Sequence, residues 1–444
     1  MPLVFIHGVN TRATDPDYER GVAARQMMFE QLVARPMRTT YPDFRIAPDV
    51  YWGDLGVGFL WRLRSIPDIR QKEVQGPEED RSKNLDLLRV GSAKSRLDSR
   101  VEHLGIPQPF AEAAKVDPAG LIRAIFAAEA DRFAPPLLKP PVDDSNAGGR
   151  TTEEGKNHGL LWIAVDRFAR RVETQRALIQ AESDSEVVER IQSGIRDEFQ
   201  AVFEEAKPAA AETSEGVEHL GKLSDGLGWA LGHLKDAVDD ASAFLKKTAA
   251  SAGRDASLGL TKILRDPISR KGLRFLGDVL VYLHHGAKGS PNICQRVREG
   301  LLKLKPNEGE KEPLVVVTHS FGSEIVYDLL TSRALDDITI DLWVTVGAQT
   351  SLFAEMQLFT AMPTDIPKDT DQYVLGRPAR VTKWVNFYDP ADALSYKHKP
   401  VFGDVEDILV NDAGNLTNAH GHYFVTPFFY DKVAEQLQGM PPKL

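Results

Sequence analysis

Short apolar runs that stop at glycine or a polar turn recur at both ends of the chain. Residues 2 to 6 read Pro-Leu-Val-Phe-Ile and stop at His7-Gly8. A continuous apolar run of this length, bounded by glycine, predicts a strand buried on both faces, as in a parallel sheet. From Tyr18 to Ala34 the spacing becomes helical, and Phe44 to Trp52 forms a second strand pattern ending at Gly53-Asp54. The same alternation returns late in the chain. Leu314 to Thr318 predicts a strand, and Ile325, Val326, Leu329 and Leu330 then share one helix face. Ile340 to Val346 stops at Gly347, Val381 to Phe387 stops at Tyr388-Asp389-Pro390, Asp407 to Val410 is a last short strand, and Phe424 to Leu437 a closing helix. Strands alternating with helices predict an α/β fold with a mostly parallel sheet flanked by helices.

The middle of the chain has another character. From 55 to 270, charged and alanine-rich helical segments are separated by breaker-rich stretches. Ala134 to His158 holds two Pro-Pro pairs, a Gly-Gly pair and several acids, which predicts a flexible loop. Leu223, Leu227, Leu231, Leu234, Val238, Ala241 and Leu245 recur at steps of three and four and define one apolar helix face. Such a face packs into a core, or serves as a lid or membrane-contact surface. The expected organisation is one core in two pieces, 1–54 and 271–444, interrupted by a large helical insertion or cap over 55–270.

Composition narrows the function classes. The chain has 444 residues, 42% hydrophobic and 27% charged, the balance of a soluble globular protein. Its formal net charge of -10 argues against a nucleic-acid partner, which calls for basic patches. Cys294 is the single cysteine, so neither an intrachain disulfide nor a thiolate zinc site can be assembled. The first residues lack the basic and long apolar regions of a signal peptide, and no run reaches the roughly 18 apolar residues of a membrane span. A cytoplasmic location is expected, with peripheral membrane contact or a protein partner left open to the insertion.

The strongest chemical signal is Thr318-His319-Ser320-Phe321-Gly322, between a strand pattern and an amphipathic helix. A sharp strand-to-helix turn exposes a serine hydroxyl, and the helix N-terminus stabilises negative charge beside it. Gly322 is in place, whereas Thr318 stands where a first glycine is usual. Acyl transfer also needs preorganised donors for an oxyanion. Phe321, next to the serine, and Val9, after His7-Gly8, can supply backbone N–H groups. For the acid, Asp389 and Asp392 both follow the strand ending at Tyr388. Asp392 is favoured because it lies further out on the loop, leaving Asp389 as a turn residue. For the base, His420 and His422 are available, and His420 is favoured for its small neighbours Ala419 and Gly421. A metal site at this histidine pair lacks accompanying carboxylates or thiols, so no metal or cofactor is expected.

The order Ser320, Asp392, His420, together with His7-Gly8, the Asn386 to Asp392 stretch and Tyr423, resembles the α/β-hydrolase superfamily. The nucleophile segment, with Tyr327-Asp328 in its following helix, resembles the lipase and esterase-like group. The segment Leu276 to Leu283 is similar to the helix before the nucleophile strand in such proteins. The resemblance covers 1–54 and 270–440. It implies an α/β-hydrolase fold and hydrolysis of carboxylic esters, lipid or acyl esters first, through a Ser320, His420, Asp392 triad with Val9 and Phe321 as oxyanion donors. The other readings kept in view are an amidase or acyltransferase using the same residues, and a partner-regulated or non-catalytic scaffold.

Overall fold

A computed structural model describes residues 2–15, 18–59, 109–133, 148–206, 274–286, 288, 291–304, 313–363, 365–366, 373–410 and 419–440. Six strands form one sheet in the order β2-β1-β3-β4-β5-β6, and every neighbouring pair is parallel. They are β1 (Pro2–Ile6), β2 (Arg45–Ile46), β3 (Val315–His319), β4 (Ile340–Val346), β5 (Val381–Tyr388) and β6 (Glu406–Leu409). The strand ladder joins β1 directly to β3, with Leu3 opposite Val315 and Ile6 opposite Thr318. Residues from the start of the chain therefore meet residues more than 300 positions later. This is an α/β fold, and all its strands end on the same side of the sheet.

Apolar runs fill both faces because side chains alternate along a strand. Leu3, Phe5, Val315, Val317, Leu342, Val344, Val385 and Phe387 belong to one core cluster, while Val4, Ile6, Val316, Trp343 and Trp384 belong to the other. On the first side lie α1 (Tyr18–Phe29), α2 (Pro109–Val116), α3 (Pro118–Phe133), α4 (Gly148–Arg170), α5 (Val172–Ile179) and α6 (Asp184–Ala206). The second side is covered by α7 (274–285), α8 (Ile293–Leu302) and α9 (Gly322–Thr331). The closing helix α10 (Pro427–Gln438) returns to the first side. The described helices between 109 and 206 thus share the apolar core of the sheet rather than standing apart from it.

Two expectations need correction. The second strand was expected over Phe44 to Trp52, yet the ladder holds only Arg45–Ile46 and an isolated bridge from Ile6 to Val50. Ala47 and Val50 still donate to Leu3 and Phe5 carbonyls, but Pro48 between them has no N–H to continue the ladder. The flexible loop expected over 134–158 is helical from Gly148, as the first part of α4. There the glycines serve close packing: a Cβ on Gly155 would collide with the Arg20 carbonyl oxygen of α1. Burial against α1 overrides the poor helix propensity of these residues. Residues 134–147 and the apolar face from Leu223 to Leu245 lie outside the described residues. No described helix is long and apolar enough to cross a membrane.

Candidate active site

Ser320 occupies the turn between β3 and α9 with a φ of 51°. A non-glycine residue held in the left-handed region is uncommon, and such strain is retained only where the surroundings enforce it. Here the Ser320 N–H donates to the Val346 carbonyl at 2.9 Å, and the Ser323 N–H donates to the Ser320 carbonyl at 2.9 Å. The backbone of β1 comes close on the other side. A Cβ on Gly8 would lie 2.6 Å from Ser320 Cβ, and one on Gly322 would lie 2.8 Å from the His7 carbonyl oxygen. Both positions demand glycine. Thr318 fits in the usual place of the first glycine because its buried hydroxyl is satisfied: Oγ1 pairs with Ser323 Oγ at 2.8 Å and accepts from Trp343 Nε1 at 3.0 Å.

His420 meets the serine directly. Its Nε2 lies 2.7 Å from Ser320 Oγ, and its Nδ1 lies 2.9 Å from Asp392 Oδ2 and 3.2 Å from Oδ1. Asp392 also accepts from the Leu394 N–H at 2.9 Å and the Tyr423 hydroxyl at 3.0 Å. Burial pushes the Asp392 carboxyl up, but its hydrogen bond to His420, the attraction of that ring and the other two donors together bring it below the ordinary carboxylate value. An ionised Asp392 accepts a proton bond from Nδ1–H, which leaves the Nε2 lone pair facing the serine hydroxyl. Ser320 is 1% exposed, while the His420 side chain is 26% exposed, so the site opens toward solvent on the histidine side.

The two alternatives fall elsewhere. Asp389 Oδ1 accepts from the Ala391 N–H at 2.7 Å and holds the turn that carries Asp392 outward. His422 is buried and packs edge-on to Trp162, with ring centroids 6.5 Å apart. Val9 follows Gly8 against the serine, and Phe321 is fully buried, its ring against Tyr282 and Phe353. Among the described residues no protein acceptor takes the N–H of Val9 or Phe321.

Two histidines beside the site have contacts that their sequence motifs do not foretell. His319 Nε2 donates to the His420 carbonyl at 2.6 Å, and the two rings lie 4.8 Å apart. Burial, reinforced by the neighbouring His420, lowers His319 to about 3, so its ring is neutral and braces the His420 backbone. His7 is likewise neutral, lowered to about 4 chiefly by burial. Its Nδ1–H donates to the Gly8 carbonyl at 2.7 Å, and Nε2 accepts from the Trp52 N–H at 3.0 Å. The sequence marks His7 only as half of a His-Gly pair, whereas its ring pins the start of the loop that holds Val9. Among the described residues no group of three or more histidine, cysteine or acidic side chains is placed to hold a metal ion.

Against protein-family models, curated proteins and solved structures, the chain has no match. The chemistry of the site therefore has to be read from its own geometry.

Proposed function

We propose that the chain is a serine hydrolase of the α/β-hydrolase type that cleaves carboxylic esters of the acyl and lipid class. The observation that carries this reading is the continuous chain Ser320 Oγ, His420 Nε2, His420 Nδ1 and Asp392 Oδ2, with links of 2.7 and 2.9 Å. A nucleophile within hydrogen-bond reach of a base, and a base oriented by a third group, is the arrangement nucleophilic acyl transfer requires. Further support comes from the strained turn at Ser320, the all-parallel sheet and the unoccupied Val9 and Phe321 N–H groups.

In the reaction, Ser320 Oγ bonds to the ester carbonyl carbon as its proton passes to His420 Nε2. The carbonyl oxygen gains negative charge and is met by the Val9 and Phe321 N–H groups. Collapse breaks the bond to the alcohol oxygen, which leaves with the proton from His420. Water then gives a proton to His420 and attacks the acyl-serine, releasing the carboxylic acid and restoring the serine hydroxyl. Asp392 stabilises the imidazolium in both halves without becoming protonated.

Labelling with a fluorophosphonate, together with turnover of p-nitrophenyl esters graded by acyl length, tests the reading. Wild type is expected to be labelled at Ser320 and to hydrolyse esters. Ser320→Ala is expected to lose labelling and at least about a 10⁴-fold share of turnover, since losing a nucleophile abolishes the covalent route. Retained hydrolysis in Ser320→Ala, or labelling at another residue, would falsify it.

A further inference from the structure

We propose that Asp278 is a positioning residue for oxyanion stabilisation, holding the loop after β1 so that the Val9 N–H stays beside Ser320. This inference rests on the serine-hydrolase reading. Asp278 lies on α7, on the second side of the sheet, and is 0% exposed. Its Oδ2 accepts from the Asn10 N–H at 2.8 Å and from Arg12 Nη1 at 3.0 Å. Its Oδ1 accepts from the Val57 N–H at 2.7 Å and from Arg12 Nη2 at 2.6 Å. One carboxylate therefore joins three separate stretches of chain, with four donors on the roughly four acceptor sites a carboxylate offers.

The consequence falls on Val9. Gly8, before it, is wedged against Ser320 Cβ and the His319 carbonyl. Asn10, after it, turns left-handed with a φ of 61° and donates its N–H to Asp278. Val9 is thus bracketed by two fixed points, and the second of them is held by a side chain 268 positions away. A left-handed non-glycine residue relaxes when its enforcing contact is lost, and the Val9–Asn10 peptide that anchors Val9 on that side is then free to turn, which leaves the Val9 N–H of the Gly8–Val9 peptide held from the Gly8 side alone. A preorganised oxyanion donor works only if it needs no reorientation during the reaction.

The four contacts also explain why a charged pair is buried here. Removing the Asp278 and Arg12 charges from water is costly, and apolar packing would hold α7 in place without that cost. A planar bidentate pair adds direction, which an apolar contact does not. Asp278 and Val57 also stand at the two borders of the 55–270 stretch, so the same carboxylate ties both borders to the loop beside the serine.

The test compares wild type, Ser320→Ala, Asp278→Asn, Asp278→Ala and Arg12→Lys as full-length chains. For each, kcat and KM are measured separately on a p-nitrophenyl ester, with the rate of fluorophosphonate labelling and a chemical denaturation curve. Asp278→Ala is expected to lose kcat by about 10²- to 10³-fold, as for one oxyanion donor, at a KM within about threefold of wild type. Asp278→Asn leaves one acceptor oxygen, for either the Asn10 or the Val57 N–H, and turns an NH2 donor toward the other, so its kcat is expected to fall between those of wild type and Asp278→Ala. If Asp278→Ala does not fold, Asp278→Asn and Arg12→Lys decide by the same split. Variants that are less stable yet keep wild-type kcat, or that change KM alone, overturn the positioning role and leave the serine-hydrolase reading standing. A wild type that neither turns over esters nor labels at Ser320 overturns that reading and this inference with it.

Discussion

Glu324 is the residue whose chemistry is most at odds with its surroundings. It lies in the first turn of α9 and is fully buried. Its Oε1 accepts from the Gln349 N–H at 2.9 Å and the Thr350 hydroxyl at 3.0 Å, while Oε2 has no partner among the described residues. Burial pushes the carboxyl up from 4.5 to about 8, so it is protonated at neutral pH in the folded chain. The unfolded chain ionises first, so Glu324 costs no stability below pH 4.5, and stability falls as pH rises from there to about 8. Glu324→Gln keeps the accepting oxygen and removes the ionisation. Its stability relative to wild type is expected to grow with pH across that window, by up to about 1.4 kcal/mol per pH unit. Denaturant midpoints at pH 4.5, 6.5 and 8.5 check this, and a difference that does not vary with pH would count against a protonated Glu324. The Gln349 side chain also donates to the Gly347 and Leu394 carbonyls, and Leu394 N–H holds Asp392, so one buried carboxyl supports the loops on which the acid rests.

Among the elements, the junction of α1 and α4 shows best how packing selects structure. Gly148-Gly149, Asn157 and the nearby prolines read as a loop by propensity, yet α4 starts at Gly148 and lies along α1. Glycine at 155 lets the two helix backbones approach over the Arg20 carbonyl. Gly155→Ala raises intrinsic helix propensity, by about 1 kcal/mol on an exposed helix. Here the added methyl meets backbone, which cannot move aside as a flexible side chain can. The expected outcome is a loss of stability of about 1–3 kcal/mol, as for overpacking, read by thermal or denaturant unfolding. A more stable Gly155→Ala chain would mean that propensity, not contact, governs α4. The β-strands give the opposite lesson. Ile340–Val346 spans the segment that the sequence marks, because a short stretch rich in apolar and β-branched residues and ended by Gly347 suits a strand buried on both faces.

The whole molecule carries an acid-sensitive set of buried histidines. His7 and His398 are lowered from 6.5 to about 4, and His319 to about 3, in each case first by burial. The folded chain binds fewer protons on these rings than the unfolded chain does. Their contribution to stability is therefore fully present above pH 6.5 and is lost as pH falls toward 4. Asp392, lowered in the fold, adds a loss at still lower pH. The unfolding midpoint is expected to drop between pH 6.5 and 4, because the three rings together outweigh the single opposing proton of Glu324. A flat stability profile over that range would mean that these rings are protonated in the folded state.

Much of the sheet and the residue types of the candidate site were legible in the chain itself. Apolar run length sets the strands, glycine and proline mark their ends, and Ser320 stands out by its place between a strand and an amphipathic helix. Proximity in space was not legible. Asp389 and Asp392 share one loop, and His420 and His422 one turn. Which of each pair meets Ser320 depends on where β5 and α10 lie against β3 and β4, and that is set by core packing over hundreds of residues. The same holds for Thr318, whose hydroxyl is paid for by Trp343 of the next strand. Asp278 is the clearest case. In the sequence it is an acid in an amphipathic helix, indistinguishable from a solvated one. Only folding brings Asn10, Arg12 and Val57 around it, because the donors that make a buried carboxylate tolerable come from parts of the chain that no local pattern connects.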